Sequence, residues 1–434
     1  MYARISLVLL FVVILAFGAR AATVIQNSAE PSAVLYWPFP PGSMMGQSGA
    51  VVDVNALRQD LVVGAPYAAH GNDRGMILLY YGANGLKSGG RPSAVIYGDG
   101  NLGWSLVGLG QGAFAAGAFS GSGDNVSLSG GVSIYRYTRG APQKVADLSG
   151  ENALDKFGYT LASGDFNGDG IQDLAVGAPF HSPDPSLYQQ GAVYVYFGPD
   201  YSRSVKIPGT KKNGAVGFSI GTGDINKDGI DDLLIQSSGK VNAFLGSHSF
   251  SPNPDLPDII YSSQDSSDTD FGRAIAVLRN PDPEEMNNVA VSASQATLNN
   301  GMMDMIDSGR VYIFGNSGGS ASISAGPPAR IDGEPNSGRF GSGLLPVCDL
   351  DGDGVQDLAV GSIHADGTSF PMTGAIYFIS GRTMQLLPEK TIRGNARDMH
   401  FGTFLAAFVK GTYLAAGSPT EKDGNGSARI YRLK

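Results

Sequence analysis

The stretch Asp165-Phe-Asn-Gly-Asp-Gly-Ile-Gln-Asp173-Leu-Ala-Val-Gly-Ala-Pro179 decides the fold, because its core is written twice more. The other copies are Asp224-Ile-Asn-Lys-Asp-Gly-Ile-Asp-Asp232-Leu-Leu-Ile235 and Asp349-Leu-Asp-Gly-Asp-Gly-Val-Gln-Asp357-Leu-Ala-Val360. Each places an oxygen-bearing side chain at positions 1, 3, 5 and 9, a glycine at position 6, and then an apolar run. Such a loop folds its carboxylates around one hard cation. Its recurrence points to a repeat architecture and not to a single catalytic centre.

The residue types favour Ca²⁺, which takes six to eight oxygens at about 2.3–2.6 Å in irregular geometry. In the first loop the donors are Asp165, Asn167, Asp169, the Ile171 carbonyl and Asp173. In the second they are Asp224, Asn226, Asp228, the Ile230 carbonyl and Asp232. The third offers Asp349, Asp351, Asp353, the Val355 carbonyl and Asp357. An EF-hand shares this opening but needs a bidentate Glu at position 12 and flanking helices. Position 12 here is Val176, Ile235 or Val360, inside runs that read as buried strands. Three strand–loop–strand calcium sites are therefore expected.

Composition agrees with a β protein. The 434 residues include 62 Gly and 24 Pro, with only 16% charged residues, which is a turn-rich chain long enough for a large core. The net charge of −9 is carried in good part by the three loops, and no basic cluster suggests nucleic acid. At the N-terminus, Arg4 precedes an apolar run from Ile5 to Phe17, and Ala19-Arg-Ala21 fits a cleavage site. The reading is a signal peptide over 1–21 and a mature, secreted chain over 22–434, with no transmembrane segment after it. Cys348 is the single cysteine, so no intrachain disulfide forms, and it reads as a buried structural thiol. Asn125-Val-Ser127 and Asn425-Gly-Ser427 are glycosylation sequons.

The loops sit inside a longer unit. An apolar-Gly pair precedes each loop, at Phe157-Gly158, Val216-Gly217 and Phe340-Gly341, and an aromatic β-run follows, as in Gly191-Ala-Val-Tyr-Val-Tyr-Phe197. The unit recurs without a good loop after Met45-Gly46, Leu102-Gly103, Phe271-Gly272 and Phe401-Gly402. The seven glycines are spaced by 57, 55, 59, 55, 69 and 61 residues. Seven units near 60 residues suit the four-stranded blades of a propeller. The segment Asn280-Pro-Asp-Pro-Glu-Glu-Met-Asn-Asn288 has polar groups at suitable offsets, but Glu285 replaces the turn glycine, so it reads as a lapsed site.

These units resemble FG-GAP repeats, and seven of them resemble the propeller at the head of integrin α subunits. The resemblance implies an all-β, seven-bladed propeller over the mature chain. It also implies that an N-terminal segment completes the last blade, for which Thr23-Val-Ile-Gln26 is the candidate, because unit seven ends after Arg429–Leu433. The function implied is extracellular adhesion or protein recognition. The leg domains, membrane span and cytoplasmic tail of those subunits have no counterpart here, so a standalone propeller is expected. The alternatives are a lectin, as some fungal propellers are, or an accessory propeller like that of glycosylphosphatidylinositol phospholipase D. The partner is then an extracellular protein or a glycan.

No enzyme constellation is visible. The five histidines (70, 181, 248, 364 and 400) are scattered, and no Gly-x-Ser-x-Gly or phosphate loop appears. Trp37 and Trp104 read as packing residues, and Asn299-Asn-Gly-Met-Met-Asp304 as a solvated loop.

Overall fold

A computed structural model describes residues 30–434 except 37–40, 54–58, 72, 83–85, 122–127, 184–185, 187, 300–303, 306, 320–321, 327, 334–337, 368–370 and 409. The expected signal segment, Trp37 and the Asn125 sequon lie outside the described residues.

The described chain forms seven antiparallel four-stranded sheets, one for each unit. Within a blade the chain meanders outward. In blade three, Thr160–Gly164 pairs with Asp173–Ala178, then Ala192–Tyr196, then Ser204–Pro208. The second strand of each unit is the Leu-Ala-Val run. Its apolar residues do not alternate with polar ones because both of its faces are covered: all six residues of Asp173–Ala178 are buried. Outer strands alternate irregularly and reach solvent, as Ala141–Ser149 does in blade two.

The core is not a single mass but a set of interfaces between blades. Leu174, Val176 and Tyr194 of blade three pack on Ala115, Val132 and Ile134 of blade two. On their other side Ala175, Val193 and Val195 pack on Leu233, Ile235 and Phe244 of blade four. The last interface joins Phe404, Phe408 and Ile430 to Leu61, Val63 and Leu78 of blade one, which closes the ring.

Two glycines per unit set the spacing between blades. A Cβ on Gly177, in the second strand of blade three, would lie 2.2 Å from the carbonyl oxygen of Gly217, which opens blade four. The same relation joins Gly64 to Gly103 at 2.0 Å and Gly117 to Gly158 at 2.1 Å. Parallel bridges such as Gly130 to Phe157 and Gly191 to Val216 staple successive blades beside these contacts. The Phe-Gly and Gly-Ala-Pro signatures are thus the two halves of one inter-blade contact. Where the second glycine is replaced, by Gln236 or Ser292, the facing Gly272 or Gly341 meets that side chain instead.

The last blade is completed from the N-terminal side, but not by the segment expected. Its order runs Leu405–Phe408, Tyr413–Ser418, Ser427–Arg432 and then Ala33–Leu35 at the outer edge. Ala33 pairs with Ile430 and Leu35 with Ala428. Thr23–Gln26 lies outside the described residues, and the edge it was assigned is taken by a strand ten positions further on. Ala33 and Leu35 are both buried in the closing interface, which is what fixes this register. The insertion in blade five adds short pairings, Leu298–Asn299 with Asp304–Met305 and Asn316–Gly319 with Ser322–Ala325.

Candidate functional site

Each acidic loop leaves the end of a blade's first strand and delivers its position-9 aspartate to the start of the second. That aspartate is anchored twice. Asp173 Oδ2 accepts from Phe166 N at 3.1 Å and Oδ1 from Gly198 N at 2.9 Å. Asp232 accepts from Ile225 N at 2.6 Å and Gly246 N at 2.8 Å. Asp357 accepts from Leu350 N at 2.6 Å and Gly381 N at 2.9 Å. All three are fully buried. Burial, ahead of repulsion from neighbouring carboxylates, pushes Asp173 up to about 6 and Asp232 up to about 7, and raises Asp357. Two backbone donors on each act against that rise.

The remaining side chains curl around the turn. Asp165 accepts from the Asp169 and Gly170 amides at 3.0 and 2.8 Å, Asn167 Oδ1 from Asp169 N at 3.0 Å, and Asp169 Oδ1 from Ile171 N at 2.9 Å. Asp224, Asn226 and Asp228 repeat the pattern. In the third loop one carboxylate oxygen from each of Asp349, Asp351 and Asp353 lies within 4.8 Å of the others. Among the described residues this clustering of three carboxylates is found for Asp349, Asp351 and Asp353 alone. The donor set is all oxygen, which suits a hard divalent cation and not a thiolate- or imidazole-seeking metal.

The loops differ in their surroundings. Lys434 Nζ lies 3.6 Å from Asp349 Oδ2, and Arg382 Nε lies 3.6 Å from Asp353 Oδ2. Among the described residues no lysine or arginine pairs with Asp165, Asp169, Asp224 or Asp228. In blade five the Asn280–Asn288 segment holds an ammonium instead: Lys227 Nζ, from the blade-four loop, donates to the carbonyls of Asn280 (3.2 Å) and Asp282. Asn287 Oδ1 accepts from Asn280 N at 2.9 Å, across the same seven-residue span as the aspartate-to-amide bonds of the acidic loops.

A second feature lies at the other end of the first strands. The residues after the unit-opening glycines of blades two, three and four are Trp104, Tyr159 and Phe218. They form one half-buried belt. The Trp104 ring lies 4.6 Å from Phe119 and 5.5 Å from Tyr159, and Tyr159 lies 5.2 Å from Phe218. Lys156 Nζ sits 5.1 and 4.7 Å from the Phe119 and Phe180 ring centres, and the Arg273 guanidinium 5.2 Å from Phe218. Trp104 packs against neighbouring rings, as its sequence context suggests, but the belt as a whole is not evident from the two tryptophans alone. The signal lay in the repeat frame, where Trp104, Tyr159 and Phe218 hold one position. The belt precedes the first strands and the acidic loops follow them, so the two features occupy opposite faces of the ring.

No helix among the described residues is long and apolar enough to cross a membrane. The sequence model of the FG-GAP repeat matches residues 157–196, blade three from its Phe-Gly pair to its third strand. Integrin alpha-5 of Xenopus laevis is 28% identical over 274 residues, 55% of this chain and 24% of that protein. Integrin alpha pat-2 of Caenorhabditis elegans is 25% identical over 369 residues, 77% of this chain and 29% of that protein. Mouse integrin alpha-IIb is 31% identical over 183 residues, 37% of this chain and 17% of that protein. The chain therefore spans less than a third of the length of these relatives. With seven blades and an FG-GAP repeat in the third, it resembles the β-propeller of integrin alpha subunits.

Proposed function

We propose that this chain is a secreted recognition propeller that contacts an extracellular protein partner, as an adhesion module, and is rigidified by Ca²⁺ in blades three, four and six. The ligands would be Asp165, Asn167, Asp169, the Ile171 carbonyl and Asp173; Asp224, Asn226, Asp228, the Ile230 carbonyl and Asp232; and Asp349, Asp351, Asp353, the Val355 carbonyl and Asp357. The cation would neutralise carboxylates that the loop itself crowds together. The signal segment at 1–21 supports an extracellular setting, where Ca²⁺ reaches the millimolar range at which such sites fill.

The observation that carries the recognition reading is the belt of Trp104, Tyr159 and Phe218. Half-buried aromatics on a rigid face are the side chains that anchor protein interfaces. A glycan-binding propeller would repeat one aromatic platform in equivalent pockets, whereas this belt ends at Arg273 in blade five. Among the described residues no constellation supports catalysis, and a non-enzymatic role fits the relatives. The test is capture of partners from extracellular fluid beside a glycan array, each with and without Ca²⁺, using wild type and Trp104→Ala/Tyr159→Ala. Protein capture that the double variant loses supports the reading. Specific, saturable glycan binding by the wild type would overturn it.

A further inference from the structure

Blades three and four carry acidic loops side by side, and the two are tied together. Position 8 of the three loops is Gln172, Asp231 and Gln356. Asp231 Oδ2 accepts from the backbone amide of Asp165 at 2.9 Å, while Asp231 N donates to the Asp165 carbonyl at 3.0 Å. Asp165 is the first ligand position of the blade-three loop. Blade four adds two more ties to that loop: Ser247 N donates to the Phe166 carbonyl at 3.0 Å, and His248 Nδ1 lies 3.1 Å from the Asn167 carbonyl. The blade-six loop has basic neighbours in place of such a tie.

We infer that Asp231 is a positioning residue that couples Ca²⁺ binding in blade four to Ca²⁺ binding in blade three, while the blade-six site binds independently. The inference rests on the calcium reading above. Asp231 lies between the Ile230 carbonyl and Asp232, both ligands of blade four, so a cation there fixes the backbone on either side of it. Its two-way hydrogen bond then holds the backbone of Asp165, and the blade-three loop has less conformational freedom left to lose when its own cation enters. A first ligand that has already ordered the shared segment makes the second bind more tightly. The Asp231 carboxylate, half-buried between the loops, also adds negative charge to both.

The test is a calorimetric Ca²⁺ titration of the full chain with blade six silenced by Asp349→Ala/Asp353→Ala, leaving two sites. With Asp231 intact, the second cation is expected to bind at least about 5-fold more tightly than independent sites allow, at the lower end of typical coupling. Asp231→Ala should give two independent sites. Asp231→Asn, whose amide oxygen still accepts from Asp165 N, should keep most of the coupling. In a second arm, Asp224→Ala/Asp228→Ala should weaken the blade-three site by at least about 5-fold, with Asp231 untouched. Unchanged cooperativity in Asp231→Ala, or unchanged blade-three affinity in the second arm, overturns the coupling while leaving the calcium sites standing. Absence of Ca²⁺ uptake by the wild-type chain overturns the calcium assignment itself, and the coupling with it.

Discussion

Gly417 lies against the carbonyl of Gly46 so closely that a Cβ built on it would stand 2.0 Å from that oxygen. One residue is in the second strand of blade seven and the other opens blade one, so this is the contact at which the ring closes. The obstacle is backbone of the neighbouring blade, so the Gly46 carbonyl cannot yield without moving a blade, and the Phe404 ring crowds the same point at 2.4 Å. Gly417→Ala should cost about 3 kcal/mol or more, at the high end for overpacking. Gly131→Ala is the control, because its Cβ would meet only the Leu148 carbonyl, at an ordinary 3.5 Å. Urea denaturation of both variants checks this; equal midpoints would mean that blade spacing is not set by these glycines.

Removing calcium should lower the melting temperature. A site held at ten times its Kd contributes about 1.4 kcal/mol, so three contribute roughly 4 kcal/mol. Against a total of about 5–15 kcal/mol, that is a visible fraction. Scanning calorimetry in excess EDTA and in millimolar Ca²⁺ should differ by several degrees. An unchanged melt would sink the structural role of the three loops.

The His364 and His400 rings lie 5.0 Å apart. Burial first, then the Arg339 guanidinium and the His400 ring, hold His364 down at about 4, and burial holds His400 below its ordinary 6.5. Both groups are easier to protonate once the chain unfolds. The unfolded state therefore binds more protons below pH 6.5, and stability falls as pH falls from there toward 4. Denaturation midpoints between pH 7.5 and 5 should drop less steeply in His364→Gln/His400→Gln than in wild type. Parallel pH profiles would show that this pair does not contribute.

Lys227→Met should loosen blade five without touching a metal ligand. Its ammonium satisfies the Asn280 and Asp282 carbonyls from the neighbouring loop, and a methionine of similar length cannot donate. The contact is largely exposed, so the expected cost is small, about 1 kcal/mol. The sharper readout is hydrogen exchange, where amides of 280–287 should exchange faster with and without Ca²⁺. Protection unchanged from wild type would show that the segment needs no cation.

The repeat was legible in the sequence because the units solve one local problem with recurring residues: a glycine pair for close blade approach in most blades, an acidic turn in three, and an apolar second strand covered on both faces. What was not legible came from contacts between units. Nothing local distinguishes Thr23–Gln26 from Ala33–Leu35 as the closing strand, since each is a short apolar segment and the choice rests on pairing with Ala428–Ile430. Lys227 reaches a carbonyl 53 residues away, and Asp231 reaches Asp165 across 66, and no spacing within one loop encodes either. The aromatic belt falls between these cases. Its residues share a repeat position, yet only three blades use it for a ring.

The closing strand offers a test in which sequence pattern and structure make opposite demands on adjacent residues. Ala33 and Leu35 are buried between blades seven and one, whereas Val34 is only half-buried and faces the other way. Side chains alternate along a strand, so a one-residue slip would exchange them. Leu35→Asp therefore places a carboxylate among Leu61, Leu78 and Phe404, where an isolated charge has no partner and must stay protonated or unseat the strand. Val34→Asp puts the same group at the half-exposed position beside Arg429, its register partner. Leu35→Asp should cost more than about 3 kcal/mol and bare the edge of Ser427–Arg432, which then pairs with other copies. Val34→Asp should stay within about 1 kcal/mol of wild type. Thermal melts with light scattering separate the outcomes. Equal effects at 34 and 35 would mean that this segment does not close the ring in the register described.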